Sequence, residues 1–434
     1  MKRIILYLLI VFYSSLPCFA LESPDKVYGL SLEECLNIAL ENHPSLRKSR
    51  GAIRASSAQL EQTKTSNRWK VTLTGRTNYN GDYDYWDDGY HDGSLGINAT
   101  KTLYDTGVNR LNREIGAEDI RSAIEDERGT KITVAAAAKK AYYDLVLKIL
   151  NRDVEREKLA NLEEHLNTAR GIYEVGNSSF VDVTKAEADF ASAKVSLLKA
   201  ENDILVSQEA LKVAMGVSDY DMFNLAIATD ILLPQPAGEI GQLLNIAMTD
   251  RSDYRRTIST IKRRELEIKV AARDNSPTIT GSIGSDLSKR EGTSSTNAYS
   301  VNVNVNIPLE DGGMMKAKLE SARAMLEQDK AEEESLRQTI AQSLRSAALS
   351  LTNAIERVKS SESSVKYAED NLELARGRYE VGVGSPLEVS DAVSTLASSR
   401  YTLYQALYDA QIARTELDEA MGHLPPELNI EGNI

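Results

Sequence analysis

The segment Ala169-Arg-Gly-Ile-Tyr-Glu-Val-Gly176 recurs as Ala375-Arg-Gly-Arg-Tyr-Glu-Val-Gly382, so from 169 to 375 the chain repeats itself at an offset of 206. The same offset relates Gly75 to Gly281, Leu103-Tyr-Asp-Thr-Gly107 to Leu309-Glu-Asp-Gly-Gly313, and Met215-Gly216 to Met421-Gly422. Nearer the front, Leu36-Asn-Ile-Ala39 recurs as Leu244-Asn-Ile-Ala247 at 208. Repeats of roughly 20–50 residues make solenoids, and units this long instead imply two similar halves of one structure. We divide the chain into a leader (1–20), a first repeat (21–216), a linker (217–238) broken by Pro234 and Pro236, a second repeat (239–422) and a short tail (423–434).

Each half reads as a helical segment, two short alternating segments around a polar loop, then a very long helix, a sharp turn and a second long helix. Helical hairpins are expected over about 107–216 and 313–422. Leu159, Leu162, Leu166, Ala169 and Tyr173 step by three and four residues, and across the turn so do Val183, Ala186, Phe190, Ala193, Leu197, Ala200 and Ile204. The second half repeats this seam with Val358, Val365, Ala368, Leu372, Ala375 and Tyr379 facing Val389, Ala392, Leu396, Leu403, Ala406 and Ala410. That spacing is a coiled-coil stripe. At 1.5 Å per residue, a helix from Gly107 to Glu174 runs about 100 Å, a length suited to spanning something.

Strands are expected over about 69–80, 93–104, 277–286 and 298–309. Tyr299, Val301, Val303, Val305 and Ile307 alternate with Ser300, Asn302, Asn304 and Asn306, one greasy face and one wet. Transmembrane strands of about 10 residues have this pattern, and so does a half-buried sheet beneath helices. The leader favours the first reading. So do the intervening segments, Asn80–Asp92 rich in Tyr, Asp and Gly, and Leu287–Asn297 rich in Ser and Thr, which resemble external loops. Trp69, Tyr79, Tyr83, Tyr85, Trp86 and Tyr90 are either part of an interfacial aromatic girdle or ordinary loop residues. Four strands cannot close a barrel in lipid, so the membrane reading itself requires oligomerisation.

Lys2 and Arg3, an apolar run from Ile4 to Phe12 and small residues up to Ala20 read as a secretory leader. Cys18 follows Pro17, which disfavours lipid anchoring. The net charge of −13 disfavours nucleic acid as a partner. Cys35 is then the sole cysteine of the processed chain and reads as a structural thiol. No later stretch approaches the 20 or so apolar residues of a spanning helix. His43, His91, His165 and His423 are scattered, with no metal spacing, phosphate loop or nucleophile motif, so no enzyme, metal or cofactor is expected.

The duplicated order of strands and long hairpin, with Tyr-x-Val-Gly at each turn, resembles the TolC-like outer membrane efflux protein family. The motifs are Tyr379-Glu-Val-Gly-Val-Gly-Ser-Pro-Leu-Glu-Val-Ser-Asp391, its diverged copy Tyr173-Glu-Val-Gly-Asn-Ser-Ser-Phe-Val-Asp-Val183, and Leu36-Asn-Ile-Ala-Leu-Glu-Asn-His-Pro44. The resemblance implies a mainly α fold with a transmembrane β part, a homotrimer whose strands form one barrel in outer-membrane lipid above a periplasmic helical barrel. It implies a periplasmic adaptor and an inner-membrane pump as partners. By the same resemblance, Glu388 and Asp391 line the pore constriction and set its selectivity, Asp182 and Tyr379 make gate-closing contacts, and Val175, Gly176, Ser179, Val381, Gly382 and Ser385 form the hairpin tips offered to the adaptor. The family's gate arginine is replaced by Gly384. On residue chemistry alone, Glu388 and Asp391 are equally ordinary acids near a helix amino terminus, and Tyr379 is equally a packing residue on the apolar stripe.

The function this implies is a passive exit duct of a tripartite efflux pump or type I secretion system. The competing reading, from a different class, is a secreted periplasmic coiled-coil scaffold whose strands form a soluble sheet.

Overall fold

The computed structural model describes residues 27–82, 85–176, 179–217, 224–226 and 231–428. The expected leader lies outside them. The first repeat contains β1 (Val27–Gly29), α1 (Leu32–Asn42), α2 (Pro44–Thr65), β2 (Lys70–Asp82), β3 (Tyr85–Tyr104), α3 (Val108–Glu174) and α4 (Phe180–Met215). The linker contains β4 (Asn224–Ala226), and the second repeat contains α5 (Ile240–Asp250), α6 (Ser252–Ala271), β5 (Thr278–Arg290), β6 (Thr296–Asn306), α7 (Met314–Glu380) and α8 (Pro386–Met421). Both long helices have 67 residues, and both return helices have 36.

The same local chemistry builds both halves. At each strand-to-helix turn an aspartate accepts hydrogen bonds from the first free amides of the long helix. Asp105 takes Gly107 N–H at 3.0 Å and Asn109 N–H at 2.8 Å, and Asp311 takes Gly313 N–H at 3.0 Å and Met315 N–H at 2.7 Å. These amides hold the Asp311 carboxyl below its ordinary range. Each return helix ends on a left-handed glycine pressed against the start of its own repeat. A Cβ on Gly216 would lie 2.6 Å from His43 Cα, and one on Gly422 would lie 2.8 Å from Arg251 Cα.

The principal sheet is antiparallel throughout, in the order β2-β3-β5-β6, so the halves join at β3 and β5. Register puts Val71, Ala99, Ile283 and Val301 in one cross-strand row and Leu73, Ile97, Ser285 and Tyr299 in the next, all on one face. The other face carries Lys70, Thr100, Ser282 and Asn302, then Thr72, Asn98, Gly284 and Ser300. The apolar face is exposed, and among the described residues no helix packs on this sheet. This contradicts the scaffold reading, because a soluble sheet would have to cover such a face.

Toward the intervening loops the strands run further than expected, whereas β6 ends short. β3 starts at Tyr85 rather than near 93, β5 continues to Arg290, and β6 begins at Thr296 and stops at Asn306. Much of the polar stretch read as loop is therefore ladder, because strands that leave an apolar band still satisfy their backbone by pairing. Asp92 accepts hydrogen bonds from the side-chain amides of Asn78 and Asn80 across that extension.

Along the half nearer the sheet, α3 lies between α2 and α6; along the half nearer the hairpin turns, it lies between α4 and α8. The helix α7 meets α6 and α8, and Leu349, Tyr367 and Leu374 on its surface are exposed. Buried Leu and Ala dominate the stripes, which lets the helices approach closely. All the expected stripe positions are buried or half-buried except Tyr173, which is exposed. Cys35 is fully buried beside Tyr142, Leu145 and Leu211, and burial pushes its thiol up to about 11, which makes it inert packing. Lys139, also buried, pairs with Glu427 at 2.6 Å and anchors the segment after α8.

Candidate functional site

Two regions can carry function: the two-faced sheet and the hairpin turns at the far end of the helices. Exposed Val, Leu and Ile on one face, backed by polar rows on the other, are the pattern of a lipid-facing band. At the margins, Trp69 and Tyr79 are exposed, and the Arg290 guanidinium sits 3.5 Å from the centre of the Tyr90 ring. Tyr83 lies outside the described residues, as do the side chains of Tyr85 and Trp86.

The first turn is built by helix termination. Val175 N–H donates to Gly171 O, Gly176 N–H donates to Tyr173 O at 2.9 Å, and Gly176 takes φ +79°. Ser179 starts α4, and its N–H donates to Asp182 at 3.2 Å in a capping box. Tyr173 packs against Phe180 with ring centres 5.7 Å apart and planes tilted by 53°.

The second turn repeats this with an addition. Gly382 takes φ +78° and its N–H donates to Tyr379 O at 3.0 Å, while Ser385 Oγ accepts the Glu388 N–H at 3.3 Å. The addition is Arg378. Its carbonyl accepts N–H groups from Val383 and Gly384 at 3.0 and 2.9 Å, and its guanidinium reaches Glu388 at 3.4 Å and Val383 O at 3.4 Å. A Cβ on Gly384 would lie 2.9 Å from Tyr379 N, so an arginine does not fit there without moving the turn. The sequence reading missed Arg378, although a signal existed: it is the position where Ala-Arg-Gly-Ile-Tyr became Ala-Arg-Gly-Arg-Tyr, replacing the counterpart of Ile172.

Glu388 and Asp391 are exposed on one side of α8, while Val389, Ala392 and Val393 between and beyond them enter the core. Asp391 makes no ion pair among the described residues, whereas Glu388 has Arg378. Tyr379 is only 7% exposed and packs against the His165 ring of the other hairpin, with centres 5.4 Å apart. Burial and then the Asp182 charge raise the Tyr379 phenol, so the two lie near one another within one chain. Burial holds His165 below its ordinary range. The tip residues Val175, Gly176, Ser179, Val381, Gly382 and Ser385 are all exposed.

The histidines do separate work: His43 Nδ1 accepts Ser45 N–H, His423 meets Asp250 at 3.2 Å, and the His91 backbone donates to the Glu291 carboxylate and accepts Glu291 N–H. Among the described residues no group of His, Cys, Asp and Glu could hold a metal, and no helix is long and apolar enough to cross a membrane.

The model of the family described as outer membrane efflux protein matches residues 35–217 and 243–423, which is most of the chain and both repeats. The chain belongs to the outer membrane efflux protein family. It is 26% identical over 391 residues to the outer membrane efflux protein BepC of Brucella suis biovar 1, covering 89% of this chain and 84% of that one. It is 22% identical over 415 residues to the outer membrane protein TolC of Vibrio cholerae, covering 92% of each. The crystal structure of CusC superposes with a TM-score of 0.77 at 19% identity, over 90% of this chain and 92% of that one. Membership places the protein in the outer membrane as an efflux channel, and the uncovered apolar face of its sheet is the surface that location requires.

Proposed function

We propose that three copies join their four-stranded sheets into one closed barrel, continued on the other side by a helical barrel. The resulting conduit is a passive exit duct for a tripartite pump or a type I secretion system. The observation that carries this is the sheet, apolar on one face, polar on the other and open at β2 and β6, because such edges in lipid leave amides and carbonyls unpaired unless another copy supplies a partner. The wet face then lines the lumen. The exposed turns at Gly176 and Gly382 dock a periplasmic adaptor that links the duct to an inner-membrane pump, the only source of energy. Glu388 and Asp391 repeat around the axis as an acidic constriction, and Asp182 and Tyr379 hold it closed.

The test is the size of the detergent-purified protein with its leader processed. A trimer that resists mild heating is expected, and a monodisperse monomer stable without detergent would overturn the reading.

A further inference from the structure

Resting on the ring reading above, we propose that the join between neighbouring copies reproduces the join between the two halves of one chain, with Lys48 of one copy paired to Glu332 of the next. The structure itself supplies the template. Inside the chain, α3 of the first half meets α6 of the second through Arg256–Asp126 at 3.5 Å and Arg255–Glu125 at 3.6 Å, and Gly129 lies against Ser252.

The repeat tells where the same surfaces stand on the free sides. α1 and α5, and the starts of α2 and α6, correspond at 208, because Leu32 matches Ile240 and Pro44 matches Ser252. The helices α3 and α7 correspond at 206, because Val108 matches Met314 and Glu174 matches Glu380. Arg255 and Arg256 therefore map onto Arg47 and Lys48 of α2, and Asp126 maps onto Glu332 of α7. Arg47, Lys48 and Glu332 are exposed and make no ion pair within the chain, among the described residues. Helix faces agree with this. Leu46 is buried against α3 as its counterpart Tyr254 is packed toward α7, which turns the two following cations to the other flank in both halves.

Hydrophobic surface follows the same rule nearer the turns. Val195 on α4 is 67% exposed, whereas its counterpart Tyr401 on α8 is half-buried and its hydroxyl donates to Glu155 of α3 at 2.6 Å across the internal join. One flank of the chain is thus basic at α2, the opposite flank acidic at α7, and each is the complement of the other. An interface of this kind is heterologous, and only a closing rotation keeps it from growing into a filament.

The test uses the full-length protein in detergent, with Lys48→Cys and Glu332→Cys combined and oxidised by copper phenanthroline. Expected are disulfide-linked dimers and larger species at least about tenfold more abundant than in a Lys48→Cys/Glu320→Cys control, whose second cysteine lies about 18 Å further along α7. An intact oligomer with no linkage above that control overturns the inference and leaves the ring standing. A monomeric parent protein overturns both. As an independent measurement, Lys48→Glu and Glu332→Lys should each lower the temperature at which the oligomer dissociates on a gel, and the double reversal should restore it. Simple addition of the two losses would count against the pair.

Discussion

The two hairpin turns descend from one sequence and differ where function concentrates. At the first, Tyr173 is 44% exposed and packs on its own turn, Ile172 precedes it, and Asp182 is occupied in capping α4. At the second, Tyr379 is buried against the other hairpin, Arg378 replaces the isoleucine, and Glu388 turns from the capping role toward that arginine. The lesson is that a duplicated fold keeps its helix-ending glycines and lets the side chains around them divide the labour. Both turns expose apolar tip residues, but only the second packs its tyrosine between hairpins and carries the paired charges.

The largest expected effect breaks the packing half of this contrast. Tyr379→Ala should destabilise the hairpin end by roughly 3–5 kcal/mol, the range for losing a buried aromatic, whereas Tyr173→Ala should change it by less than about 1 kcal/mol. Limited proteolysis at the turns, read against thermal unfolding, checks both. Equal sensitivity of the two variants would show that the oligomer covers Tyr173 as thoroughly as Tyr379.

Next in size is the charge half. Glu388→Ala with Asp391→Ala should abolish cation preference and raise single-channel conductance in planar bilayers, since in the proposed ring acids three apart on one helical face would repeat around its axis. Asp182→Ala, the matching change at the first turn, should leave selectivity unaltered. Selectivity unchanged in the double variant would remove Glu388 and Asp391 from the pore.

A smaller shift sharpens the role of Arg378. Its guanidinium offsets part of the Glu388 charge, so Arg378→Ala should increase cation preference, by no more than a few-fold given that this pair is solvent-exposed. A decrease would mean that the arginine acts mainly through the Val383 and Gly384 backbone it holds.

The smallest expected effect concerns pH. Burial lowers the His165 pKa, so below pH of about 6.5 an opened or unfolded chain takes up the proton before the packed one does. The contact with Tyr379 should therefore weaken as pH falls through that value, without change above it. Protease sensitivity of the turns at pH 5 against pH 7 measures this, and His165→Gln should flatten the difference. The charges facing His165 are Asp189, which opposes the shift, and Arg376, which adds to it.

Much of the fold was legible because its signals are periodic. Three-and-four spacing, two-residue alternation and one offset repeated along the chain are one-dimensional statements, and they led to the duplicated helix-and-strand architecture and to the family. The ends of β3, β5 and β6 were not legible, since residues such as Asp92, Ser288 and Asn297 prefer loops by composition and became strand only because a neighbour paired with them. Both turn tyrosines lie on the expected apolar stripe, and only packing separated exposed Tyr173 from buried Tyr379.

What the sequence by itself determined is local: where helices stop, because only glycine accepts φ near +78° cheaply, and which face of each strand is apolar. What only the tertiary structure decided is lateral. It set β3 beside β5, α3 beside α6 and α8, and packed Tyr379 against His165 of the other hairpin. The physical reason is that hydrogen-bonding and steric preferences act within a few residues along the chain. The choice of neighbour depends on which apolar and charged surfaces meet across more than a hundred residues, and a stripe of Ala and Leu does not by itself name the stripe it will bury.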